Sequence, residues 1–286
     1  MTPTLVRHHG YADSSAPVDA AARARDWAEI QERMLAPLYE SVFDRLEVGP
    51  GTRMLSLGCG SGLALLAAAG RGARVTGVES DRERLALARE RLGPGPSAEA
   101  GARTAARYAR LVERVPAAAA GEPPYDLLTA FDPIGSVAGD FEGLAPALAA
   151  AMPLAGRGAT VVLTGWGPPE RCATAPVLRV AARLAGPARA PRPDGWRPAL
   201  RDDLEEVAAR AGLKPDGSGR VSCPFGYADV ESAVRGLLST GLFDAAIRAT
   251  DRSQAEKEVA EAVHPHVRPD GTVWMPNVFR YLVCVT

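Results

Sequence analysis

The sequence predicts an α/β fold built on a mostly parallel sheet. Three observations predict it. From residue 53 onward, short apolar runs alternate with helical segments, the pattern of strand–helix crossovers. The first of those runs ends in a cluster of glycines. The chain has 286 residues, 47% of them hydrophobic, which is enough to bury a core without disulfide or metal staples.

Residues 1–17 are polar and are expected to be a flexible stretch closed by Pro17, with His8 and His9 on a loose end or a partial lid. They lack the apolar centre of a signal peptide. Asp19 is placed to cap a helix running from Ala20 to about Glu47. Ile30, Met34, Leu38, Val42 and Leu46 give it one apolar face, and Pro37 is expected to bend or split it. A turn at Val48-Gly49-Pro50-Gly51 ends it.

Strands are expected at Arg53–Leu57, Arg74–Val78, Arg110–Val112, Tyr125–Ala130 and Ala159–Leu163. Helices are expected at Gly62–Gly70, at Asp81–Leu92 and from the 140s to Met152. The glycine- and alanine-rich segment 94–106 reads as a surface excursion. Beyond Thr164, prolines mark loops around a helix near Thr174–Leu184. A helix at Asp202–Ala211, a strand near Arg220–Cys223, two or three helices in 227–263 and a closing strand at Val278–Val285 follow. Residues 18–286 are therefore expected to form one domain, with cap-like insertions near 165–200 and 224–272.

Charge and cysteine usage narrow the function classes. The formal net charge is -1, so no basic excess points to nucleic acid or an anionic membrane. No apolar run is long enough to span a bilayer. Cys59, Cys172, Cys223 and Cys284 are far apart and form no CxxC pair, which argues against a disulfide framework or zinc site. Reduced thiols in a cytoplasmic protein are the expectation. No ligand cluster suggests a metal, and the sequence leaves the oligomeric state open.

The run Met54-Leu55-Ser56-Leu57-Gly58-Cys59-Gly60-Ser61-Gly62 carries the strongest functional information. A buried strand that ends in glycines turns sharply and lets a ligand touch its backbone. The next helix presents free N–H groups there. The second strand ends in Glu79, whose carboxylate can accept both hydroxyls of a ribose. Leu63 stands where a dinucleotide fingerprint needs its third small residue, which disfavours NAD or FAD, and no Gly-Lys-Ser/Thr follows, which excludes a P-loop.

With this loop and Val78-Glu79, the chain resembles the class I S-adenosylmethionine-dependent methyltransferases. The likeness is to the small-molecule type similar to ubiquinone/menaquinone biosynthesis enzymes. Tyr125-Asp126-Leu127-Leu128, Val161-Val162-Leu163 and Phe279-Arg280-Tyr281 resemble later strands of that family. The resemblance covers roughly residues 20–285 and is specific at 54–62 and 79. It implies a Rossmann-like sheet of order 3-2-1-4-5-7-6 with the last strand antiparallel, an N-terminal helix and late helical caps. It implies S-adenosylmethionine as cofactor, Gly58 to Gly62 against its methionine part, and Glu79 on its ribose. The candidate cofactor set is Ser56, Leu57, Gly58, Cys59, Gly60, Gly62, Glu79, Ser80, Phe131 and Asp132. Two positions depart from the family: Ser56 where an acid usually holds the cofactor's amino group, and Val115 near the usual adenine-binding acid. Asp132 is the expected compensating acid.

Methyl transfer from a sulfonium needs alignment above all, with a base where the acceptor is a hydroxyl or carbon acid. His264, His266 and Asp132 are the candidates for that role. The histidines equally suit a surface loop, and Asp132 before Pro133 equally suits a turn cap. Trp27, with Tyr39 on the same helix, suits stacking on a flat substrate or core packing. Trp166 and Phe225 are substrate candidates, and Trp196 and Trp274 are further cap positions. Cys59 is expected to be a buried filler rather than a nucleophile. The expected function is O-, N- or C-methylation of a small organic acceptor. The alternatives are the same fold binding the cofactor for a non-methylating reaction such as a cyclisation, or a non-catalytic nucleotide-binding module.

Overall fold

A computed structural model describes residues 19–93, 109–118, 121–136, 143–186 and 203–286. His8, His9, Trp196 and the 94–106 excursion lie outside the described residues.

Asp19 accepts a hydrogen bond from the Ala22 N–H at 3.0 Å and so starts helix α1, Ala20–Asp26. The expected single helix then breaks. Trp27–Gln31 is a π turn, in which the Glu32 N–H reaches back to the Trp27 carbonyl. Glu32–Leu35 is a 3-10 turn, and helix α2 runs Ala36–Arg45. Pro37 sits in the first turn of α2, where its missing N–H is harmless. The break lies upstream of it because Pro37 can give no bond to the turn before.

The central sheet collects β1 Arg53–Leu57, β2 Arg74–Val78, β3 Ala109–Val112, β4 Tyr125–Ile134, β5 Ala155–Trp166 and β6 Lys214–Ser222. Two three-residue strands, β7 Phe225–Tyr227 and β8 Val273–Met275, pair with each other, and β9 Val278–Val285 closes the chain. The sheet order is β3-β2-β1-β4-β5-β9-β6. The first five strands are parallel, and β9 is antiparallel to β5 and β6. With β9 counted as the seventh strand of the sheet, this is the order expected from the resemblance.

Helices α3 Leu63–Gly70 and α4 Arg82–Leu92 follow β1 and β2. Asp81 caps α4 by accepting from the N–H groups of Glu83 and Arg84 at 3.0 and 3.1 Å. The later helices are α5 Leu144–Ala151, α6 Ala175–Leu184, α7 Asp203–Arg210, α8 Val230–Ser239, α9 Asp244–Ala249 and α10 Arg252–Val263. Apolar side chains cover both sheet faces. Leu38, Phe43 and Leu65 pack on one face, and Leu148, Leu204 and Val207 on the other. Burying one such leucine stabilises the fold by roughly 1.5–3 kcal/mol. Among the described residues no helix is long and apolar enough to cross a membrane.

Two strands outrun their expected ends. β4 continues through Asp132-Pro133 to Ile134 because its register against β5 shifts between Ala130 and Ile134, and such a bulge tolerates a residue without an N–H. β5 reaches Trp166 because β9 pairs with it to the end, Trp166 opposite Phe279.

Candidate functional site

In the parallel register, Leu57 stands between Val78 and Ala130. The glycine loop, Glu79 and Phe131 therefore leave the sheet at one edge, the crevice where parallel sheets bind ligands. Gly58, Gly60 and Gly62 all have positive φ, at 65°, 57° and 84°. At Gly60 an added Cβ would stand 2.7 Å from Glu32 Oε1 and 3.1 Å from Trp27 Nε1, so conformation and space both exclude a side chain.

Glu79 braces this loop. Its Oε2 accepts from the Gly60 N–H and its Oε1 from the Asp81 N–H, each at 2.9 Å. A carboxylate has about four lone-pair positions, so two remain for a ligand. On the other side, the Glu32 carboxylate accepts from the Ser61 N–H at 3.0 Å, from the Ser61 hydroxyl and from Arg91 Nη1 at 2.8 Å. The sequence reading did not single out Glu32. Its partner Ser61 lies across the fold, and an acid on a helix ordinarily faces solvent.

These groups enclose a cavity of about 320 Å³. Ser56, Gly58, Cys59, Gly60, Glu79, Ser80, Phe131 and Asp132 line it. Two expected members do not. The Leu57 side chain packs in the core on the α5/α7 face of the sheet, and Gly62 lies against Ala88 and Leu92 of α4. Strand alternation explains the first, since Ser56 and Leu57 point to opposite faces. The close approach of α4 explains the second. Among the described residues, the carboxylates of Glu32, Glu79, Asp81 and Asp132 outnumber the one lining cation, Arg84. The Arg84 guanidinium lies 4.4 Å from the Trp27 ring centroid and donates to the Ser239 carbonyl at 2.9 Å. Ser56 Oγ and Trp27 Nε1 are buried there without a hydrogen-bond partner among the described residues.

Burial, and then the Glu32 and Asp132 charges, hold the lining Tyr39 phenol well above its ordinary range, so it stays a donor. Burial also pushes the Cys59 thiol up to about 12, with Glu79 and Glu32 adding to the effect. Such a thiol is not a nucleophile near neutral pH.

A second, smaller cavity of about 90 Å³ adjoins the first, and Trp27, Leu35 and Asp132 belong to both walls. Trp27, Trp166 and Phe225 meet in it, joined by Phe279 and Gln31, which the sequence reading missed. Trp27, Gln31 and Leu35 recur at helical spacing, a stripe that could have been read. Trp166 lies 4.6 Å from Phe279 and 5.8 Å from Phe225 between ring centroids.

His264 and His266 line neither cavity. Pro265 ends α10, and the two flank it in a 3-10 turn, one exposed and one half-buried. Trp274 is 38% exposed, with Arg268 over its ring 4.6 Å from the centroid. The four cysteines are buried free thiols. No cluster of three or more His, Cys, Asp or Glu suited to a metal occurs among the described residues.

No family model and no curated protein matches the chain. Solved structures do. A candidate methyltransferase from Bacillus halodurans C-125 is 12% identical with a TM-score of 0.51, over 86% of this chain and 97% of that one. The chain has the class I methyltransferase fold. Two further structures share it. YjhP from E. coli is 16% identical at a TM-score of 0.50, over 92% of this chain and 98% of its own. YcgJ from Bacillus subtilis is 12% identical at 0.50, over 90% and 99%. In this methyltransferase fold, the two cavities sit side by side at the carboxyl ends of β1, β4 and β5.

Proposed function

We propose that the chain binds S-adenosylmethionine in the larger cavity and transfers its methyl group to a small organic molecule seated in the smaller one. The observation that carries the reading is the join between the cavities. A polar, carboxylate-rich site at the glycine loop shares the walls formed by Trp27, Leu35 and Asp132 with a ring-lined slot.

The residues fit such a cofactor. The backbone at Gly58 and Gly60 offers close approach, and the spare lone pairs of Glu79 suit ribose hydroxyls. The buried Ser56 hydroxyl and Trp27 indole N–H are orphaned polar atoms that a bound group would satisfy. Excess negative charge suits a cation. Glu32 supplies the acid missing at Ser56, from the N-terminal turn instead of the first strand. When bound, S-adenosylmethionine supplies a sulfonium methyl open to displacement. The chain's task is to align the acceptor with it. Trp27, Trp166, Phe225 and Phe279 hold the acceptor and keep water out. Asp132, at the join, takes the proton of an ionising acceptor.

Calorimetric titration tests the reading. Micromolar binding of S-adenosylmethionine and S-adenosylhomocysteine, with none of NAD, is the expected result. Absence of binding by both would overturn it.

A further inference from the structure

Gln31 is a polar group of the slot whose purpose the fold does not explain. Gln31 is 3% exposed, on the π turn, among rings and aliphatic side chains. Its Oε1 accepts from the Tyr227 hydroxyl at 3.0 Å. Burial raises that phenol far above its ordinary range, so it remains the donor of the pair. α8 presses on the same amide through Gly236, where a Cβ would stand 3.3 Å from Gln31 Oε1 and 2.7 Å from Ile30 Cγ2. With its oxygen held, the amide turns its NH2 away from Tyr227, and that nitrogen makes no hydrogen bond among the described residues.

The other polar groups of the slot are differently engaged. Thr240 Oγ1 donates to the Leu237 carbonyl at 2.6 Å and accepts from the Leu242 N–H at 3.2 Å. Asp132, as a carboxylate, only accepts. The unpartnered Trp27 indole N–H stands at the Gly60 turn of the larger cavity, so among the described residues Gln31 is the donor that the slot side offers to a ligand oxygen. The walls set the shape of that ligand. Trp166 is tilted 46° to Phe279 and stands edge-on at 75° to Phe225, so the three rings pack together as one aromatic wall of the slot. At about 90 Å³, below the roughly 150 Å³ of a cavity that takes benzene, the slot is too small for a fused system and takes a single ring with some yielding of its walls.

We propose that Gln31, fixed by Tyr227, orients the acceptor, and that the acceptor presents a single planar ring bearing a carbonyl or phenolic oxygen. The inference rests on the methyl-transfer reading for the word acceptor, but the slot's preference is measurable without turnover. A site built to hydrogen-bond an oxygen strongly rejects the analogue that lacks it, because its own buried donor is then left unpaired.

The test uses acetophenone and ethylbenzene, similar in shape and differing in the oxygen. Each is titrated calorimetrically into the full chain, with and without S-adenosylhomocysteine. The unaltered protein should bind acetophenone about tenfold more tightly, the order of one hydrogen bond. Gln31→Met should erase the preference. Tyr227→Phe should reduce it to about threefold by freeing the amide to rotate, and it carries the test if Gln31→Met does not fold. Equal binding of the two probes, binding of neither, or an unchanged preference in the variants would overturn the role of Gln31. A retained tenfold preference in a protein that binds no S-adenosylhomocysteine would overturn the methyl-transfer reading and leave the oxygen-selective slot standing.

Discussion

The two cavities that meet at Trp27 and Asp132 are made of different material. The larger one is backbone and carboxylate. Gly58, Gly60, Glu79 and Asp81 come from two adjacent strand ends, and hydrogen bonds from main-chain N–H groups fix their positions. The smaller one is ring surface. Trp27, Trp166, Phe225 and Phe279 come from four elements spread along the chain, and their rings meet through packing of elements that strand pairing brings together. A site made of local backbone tolerates little change. A site made of distant side chains can be altered ring by ring while the sheet stays intact. The fold thus separates what must stay constant from what can be retuned.

The sharpest way to break this contrast is Gly60→Val. The positive φ and the collision with Glu32 and Trp27 should weaken S-adenosylmethionine binding at least ~100-fold in calorimetry. Retained affinity would mean that the loop is not the site. Glu79→Ala comes next. Loss of a buried carboxylate that holds Gly60 and Asp81 should cost about 10- to 100-fold in the same titration while leaving the slot's affinity for acetophenone alone. Trp166→Ala is the complementary case. It should weaken acetophenone about tenfold and leave S-adenosylhomocysteine unchanged; a parallel loss of both would show that the cavities are not separable.

The smallest expected effect is alkaline. In the unfolded chain Cys59 and Cys223 lose their protons near 9, whereas burial holds both up to about 12 in the fold. Between those values the folded state binds more protons. Stability is therefore fully present below pH 9 and declines as the pH climbs towards 12, by roughly 1 kcal/mol per thiol at pH 10. Urea unfolding at pH 8 and pH 10 should show the drop, and Cys59→Ala should reduce it. An unchanged slope in that variant would remove Cys59 as a cause.

The same contrast explains what could be read from the residues alone. The strand, glycines and Glu79 form a short pattern whose chemistry depends on neighbours in sequence, and the Asp19 cap is equally local. The π turn was hidden because a wide turn followed by a tight 3-10 turn keeps nearly the phase of an α-helix, so Ile30, Met34 and Leu38 still fall on one face. Glu32 and Gln31 acquire meaning only through Ser61 and Tyr227, which no spacing connects to them. β7 and β8 are three residues each, too short for alternation to show. His264 and His266 drew notice by residue type, and the fold leaves them outside both cavities.

The segment Trp27 to Glu32 has one more consequence. Trp27 faces both cavities, Gln31 faces the slot, and Glu32 grips the glycine loop, all within two irregular turns. A ligand that tightens this segment from one side prepays ordering that a ligand on the other side then need not supply. Such linkage is reciprocal: whatever factor S-adenosylhomocysteine adds to the affinity for a ring ketone, the ring ketone must return to S-adenosylhomocysteine.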